Sequence, residues 1–199
     1  KSIPKEQARK ELSLENTLTV LLMGGSLGIG DIENTFKSFA KCKRDIQIIA
    51  VAGKNTALKK RLDSLAASFP MPVKIFGYTD SIPMLMDASD FIVTKPGGMT
   101  ISEALVKRLP ALIISPIPGQ EERNEQFLVN SGAAVRIYKN TKIDSVLCQV
   151  YDNKLRYKQM KEIAGNLANP DSGRNILSLI EKLVNDNEEG LFKYSFNAF

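Results

Sequence analysis

The 199 residues contain no histidine and no tryptophan. Without an imidazole, any mechanism that takes a histidine base from this chain is excluded, and the commonest metal ligand is gone. Cysteine is scarce. Cys42 and Cys148 stand far apart with no CxxC spacing, which speaks against a zinc knuckle or a redox pair and for two small buried residues in a reducing compartment. No apolar run approaches the roughly 20 residues that a membrane-spanning helix needs. The opening residues 1–15 are too polar for a signal peptide, and the chain does not begin with Met, so a fragment or processed product is expected. Charge is nearly balanced at +5 with no long Lys/Arg run. No motif interleaves aromatic and basic residues, so nucleic acid is not an expected partner; an anionic membrane surface suits so mild an excess as well.

The rest of the composition, 43% hydrophobic and 25% charged, is that of an ordinary globular domain large enough for a proper core. Continuous apolar runs at 18–23 and 46–52, and shorter ones at 73–76, 91–93, 111–115 and 134–137, read as strands buried on both faces. Between them, 31–43, 56–68, 82–87, 99–108 and 121–131 carry helical spacing, and 143–167 and 174–184 continue as helix. Residues 4–14 read as a short polar helix or linker. Alternating strands and helices predict an α/β fold: a Rossmann-like parallel sheet of about six strands with helices on both faces. The domain is expected over 18–184, with 1–17 as linker or short helix and 185–199 as an aromatic tail.

In such a sheet, ligands bind beyond the carboxyl ends of the strands. The turns rich in glycine all follow strands, so they gather on that edge. Lys95-Pro96-Gly97-Gly98-Met99-Thr100-Ile101-Ser102-Glu103 reads as a tight turn and the start of a helix. Paired glycines admit close backbone approach, and free N–H groups with the helix dipole favour an anion. Glu103, one turn on, is within reach of a sugar hydroxyl on the same ligand. A diphosphate plus a ribose fits, so a nucleotide-sugar site is expected; a plain turn with a helix cap would use the same residues. Gly24-Gly25-Ser26-Leu27-Gly28-Ile29-Gly30 is neither a Walker loop nor G-x-G-x-x-G, which disfavours P-loop NTPases and dinucleotide dehydrogenases. It reads as a backbone wall against a phosphate or an acceptor, or as a turn without a ligand. Pro116-Ile117-Pro118-Gly119 stiffens a loop whose Gln120 and Glu121 suit sugar hydroxyls or simply cap a helix. Tyr78 and Thr79, after the third strand, offer a planar base a resting place, or form an ordinary turn. Lys54, in the Gly53-Lys54-Asn55 turn, and the Lys41, Lys43, Arg44 cluster read as solvated charges.

Four blocks occur in one order: Met23-Gly24-Gly25-Ser26-x-Gly28, Gly77-Tyr78-Thr79-Asp80, Pro96-Gly97-Gly98-x-Thr100-x-Ser102-Glu103 and Pro116-x-Pro118-Gly119-Gln120-Glu121-Glu122-x-Asn124. Over about residues 18–184 the series resembles the C-terminal domain of the glycosyltransferases that include monogalactosyldiacylglycerol synthases and bacterial processive diacylglycerol glucosyltransferases. The resemblance implies one half of a two-domain GT-B architecture, binding the UDP-sugar, with the lipid acceptor and the catalytic base in an N-terminal domain. It implies uracil near Tyr78 and Thr79, and the diphosphate at the backbone of Gly97, Gly98, Met99 and Thr100. The ribose falls to Glu103, the donor sugar to Gln120 and Glu121, and the phosphate or domain cleft to Gly25 and Ser26. It further implies direct displacement with inversion, a cytoplasmic enzyme peripheral to the inner face of the plasma membrane, and neither cofactor nor metal, no credible DxD motif being present. A UDP-N-acetylglucosamine 2-epimerase-like enzyme and a non-catalytic nucleotide-binding module are the alternatives.

Overall fold

A computed structural model describes residues 2–25, 31–139 and 141–188. Lys1–Ala168 form one compact unit and Asn169–Phe199 a second. The first unit is built on six strands: β1 (Leu18–Met23), β2 (Ile46–Val51), β3 (Val73–Phe76), β4 (Phe91–Thr94), β5 (Ala111–Ile113) and β6 (Ala134–Arg136). They form one parallel sheet in the order β3-β2-β1-β4-β5-β6. Strand order reverses between β1 and β4, so chain growth proceeds outward from that pair in both directions.

Helices cover both faces because each strand is apolar on both. Alternate residues of β1 divide accordingly: Val20 and Leu22 pack into one core, Leu21 and Met23 into the other. The first core is closed by α2 (Ile32–Phe39), α3 (Thr56–Ala66) and α7 (Ile143–Asp152), with Phe36 stacked on Phe69 at 4.2 Å between ring centroids. The second is closed by α1 (Lys5–Glu11), α4 (Ile82–Ala88), α5 (Gly98–Val106) and α6 (Gln120–Ser131). A final helix of this unit, α8 (Lys154–Leu167), contributes Met160 to the first core and Ile163 to the second.

The helical run expected over 143–167 is interrupted. Asn153 leaves helical geometry and its side chain accepts the Arg156 N–H at 3.0 Å, capping α8 and ending α7. At the amino edge of the sheet, Asp90 accepts from the Thr19 N–H and from Arg9 Nη2, both at 2.8 Å, and from Lys5. Arg9 also donates to the Ala88 carbonyl and to Asn16. This buried network fastens α1 under the sheet, opposite the carboxyl edge. The described part of the second unit is α9 (Ser172–Glu188), whose Ile176, Leu179, Ile180 and Leu183 form one apolar stripe.

Candidate functional site

Gly24 and Gly25 after β1, and loops 77–81, 95–97 and 114–119 after β3, β4 and β5, leave the carboxyl edge. Crossover connections diverge where strand order reverses, which opens a crevice between the ends of β1 and β4. The start of α5 faces that crevice. Gly97, at φ −68° and ψ 138°, precedes the helix without a side chain to cap it. The Ile101 N–H already bonds to the Gly97 carbonyl at 3.0 Å, while the first helical N–H groups, of Gly98, Met99 and Thr100, are left to an outside acceptor. A Cβ placed on Gly98 would meet nothing within 4 Å, so the space before these groups is open. Met99 is 78% exposed.

The loop before α5 is held by α6. Asn124 Nδ2 donates to the Pro96 carbonyl at 2.9 Å. Lys95 Nζ lies 3.1 Å from Glu121 Oε1, with both side chains largely buried. The other oxygen of Glu121 accepts the Ile117 N–H at 2.8 Å. Glu121 thus joins the two loops, and the free lone pairs of its carboxylate remain available to a hydroxyl. Gly119, at φ 102°, turns the chain into α6 through a conformation that side chains disfavour, and its N–H is accepted by Glu122 at 3.2 Å. Gln120 follows, exposed at the helix start.

Glu103 lies on the same face of α5 as Met99 and Thr100, four and three residues away. Partial desolvation raises its carboxyl above the ordinary value of 4.5. After β3, Tyr78 is 62% exposed, with Lys54 Nζ 5.3 Å from its ring centroid. Its open face can accept a planar group. The Thr79 hydroxyl accepts the Ser81 N–H at 3.1 Å, closing a local turn. After β1, Gly25 sits at φ 75° with no neighbour within 4 Å of a hypothetical Cβ. Ser26 lies outside the described residues, as do the rest of the glycine turn to Gly30 and the aromatic tail from 189 onward.

The fold therefore brings Gly25, Tyr78, Thr79, Gly97, Gly98, Met99, Thr100, Glu103, Gln120 and Glu121 to one edge. Sequence reasoning assigned no part to Lys95 or to Asn124. Asn124 stood in the fourth sequence block and at helical spacing, four and three residues after Gln120 and Glu121, but neither signal named Pro96 as its partner. Among the described residues there is no cluster of three or more His, Cys, Asp or Glu side chains able to hold a metal ion.

The family model described as "Glycosyltransferase family 28 C-terminal domain" matches residues 19–176. A processive diacylglycerol beta-glucosyltransferase of Bacillus cereus (strain AH187) is 32% identical over 167 residues, 83% of this chain and 43% of that protein. The chain thus spans less than half the length of the curated relatives it matches. Among solved structures, Acinetobacter baumannii MurG superposes with a TM-score of 0.70 at 20% identity, over 90% of this chain and 53% of that one. UDP-GlcNAc 2-epimerase from Neisseria meningitidis, bound to UDP-GlcNAc, gives a TM-score of 0.61 at 17% identity, over 89% and 48%. At such identities these likenesses establish the fold alone.

Proposed function

The chain belongs to the glycosyltransferase family 28 C-terminal domain family, and from that premise we propose that it is the donor-binding half of an inverting transferase that moves a hexose from a UDP-sugar to a lipid acceptor such as diacylglycerol. The observation that carries this reading is the uncapped start of α5, open at Gly98, beside the reversal of strand order. Preorganised N–H groups there meet the charge that grows on the pyrophosphate as the sugar departs, and they need no reorganisation at that moment. No cofactor or metal is called for, because backbone dipoles do this work.

The base rests on Tyr78 and is read by the backbone around Thr79. Three strand spacings, about 14 Å, separate β3 from β4, enough for base, ribose and two phosphates laid end to end. Glu103 accepts from the ribose hydroxyls, and Gln120 and Glu121 from those of the hexose. Gly25 flanks the phosphates from the far side of the crevice, and Ser26, next in sequence, is proposed to bind them too. The acceptor hydroxyl attacks the anomeric carbon as UDP leaves, with the acceptor site and the base supplied by the part of the enzyme that lies beyond this family domain. The diacylglycerol glucosyltransferase relative favours transfer over the epimerase and nucleotide-module alternatives. No helix among the described residues is long and apolar enough to cross a membrane; a cytoplasmic enzyme working peripherally at the inner face of the plasma membrane is part of the same proposal.

A thermal-shift panel of UDP, UDP-glucose, UDP-galactose and UDP-N-acetylglucosamine tests it. Stabilisation by UDP, strengthened by one hexose, is expected; no shift with any of the four would overturn the reading.

A further inference from the structure

A groove of about 780 Å³ runs between the end of α2 and the start of α7, and none of the residues assigned above to the nucleotide lines it. Lys37, Lys41, Lys43, Arg44, Lys139 and Lys142 line it, against one acid, Asp144. Lys37 is paired with Glu33 at 2.6 Å and Arg44 with Asp152 at 2.7 Å. Among the described residues, Lys41, Lys43, Lys139 and Lys142 have no carboxylate partner. A second hollow of about 440 Å³ shares Ser38, Lys139, Thr141 and Ile143 with the first and reaches Ser115 and Arg136 at the carboxyl edge of the sheet. Nη1 of Arg136 pairs with Glu125, but its Nε is buried with no hydrogen-bond partner.

We propose that this continuous groove binds a phosphate-bearing ligand. Two short segments about a hundred residues apart in sequence deliver four unneutralised ammonium groups to one concavity, where like charges repel unless an anion lies between them. Lysine ammoniums are compact point charges suited to phosphate oxygens. The hydroxyls of Ser38, Thr141 and Ser145 add neutral donors on the same walls. The shared chemistry is a phosphate, carried either by a free anion or by a lipid headgroup.

The groove also contains its own reporter. Cys42 and Cys148 both line it; Cys42 is buried, and that burial pushes its thiol up, which leaves the part-exposed Cys148 as the one to react. The full chain is alkylated at limiting reagent, with saturating UDP to fill the nucleotide crevice. The added probe is inorganic pyrophosphate, phosphatidylglycerol vesicles or phosphatidylcholine vesicles. The Cys148 rate is read by peptide mass spectrometry. We expect pyrophosphate or the anionic vesicles to slow alkylation several-fold and phosphatidylcholine not to. Slowing by pyrophosphate assigns a free anion, and slowing by the anionic vesicles alone assigns a headgroup. The K41S/K43S/K139S/K142S variant should lose the protection, with vesicle affinity falling roughly fivefold per lysine removed. A rate unchanged by either anionic probe, or protection undiminished in the variant, would overturn the proposal. UDP titration of the same variant keeps this separate from the donor-site reading: UDP affinity should stay at the level of the original chain.

Discussion

At the scale of single residues, Gly98 separates a ligand site from a bare turn. Its surroundings leave room for a side chain, so Gly98→Val should fold with stability within about 0.5 kcal/mol of the original. The same side chain would stand where the pyrophosphate belongs, and UDP affinity measured by calorimetry should fall more than about tenfold. Glu103 gives a second test, with two signs. Its carboxyl is raised by desolvation, so the ionised form costs folding stability above the raised value, and that cost is relieved as pH falls through it. Glu103→Gln should therefore melt slightly higher near neutral pH, a gain that vanishes in acid. It should also bind UDP about tenfold more weakly, since hydrogen bonds to a charged acceptor are the stronger ones. UDP affinity of the original chain should decline as pH falls through the Glu103 titration, and the variant should show a flat profile there. Loss of stability without loss of affinity would assign Glu103 to the fold.

Elements hold the site through a few polar links between loops. Glu121 ties the turn before α5 to the loop before α6 by accepting from Lys95 and from the Ile117 N–H. Glu121→Ala leaves a largely buried ammonium and a backbone donor unpaired, at a cost of about 2 kcal/mol in urea unfolding. UDP-hexose affinity should fall with it, because the α5 start loses its brace. The Asp90 network is the contrast. Asp90→Ala strands Arg9 beneath the sheet and should cost about 3–5 kcal/mol. UDP affinity of the molecules that remain folded should not change, since α1 lies at the opposite edge. Two destabilised variants, only one of them weak for the ligand, would distinguish the brace from the scaffold.

At the scale of the whole molecule, the chain matches only 43% of the length of its curated relative. On the proposed reading, donor binding depends on loops of one sheet edge, whereas transfer needs an acceptor and a base placed across a cleft. The 199-residue chain should bind UDP and yet transfer no hexose to diacylglycerol in a radiolabel assay. Turnover by the chain alone would place the base within these residues. The sequence holds no histidine for that task, so the base would have to be a carboxylate or another weak base.

Strand and helix positions, the parallel sheet and the gathering of glycine turns on one edge were all legible in the sequence. Each is written in local pattern: apolar runs, helical spacing, and residues such as Gly97 and Gly98 whose backbone freedom acts where they stand. The break at Asn153 escaped because a side-chain cap competes with a periodicity that continues through it. Partnerships across the chain were illegible for a different reason. Lys95 with Glu121, Asn124 with Pro96, Arg9 with Asp90, and the lysines of 41–43 with those of 139–142 lie between 26 and 101 residues apart. Such pairs leave no periodic trace, since charge and hydrogen-bonding capacity do not name their partner until the sheet sets the loops side by side. The chain by itself determined that an anion could be met at a helix start; only the folded sheet decided which side chains brace that start and which cations share a groove.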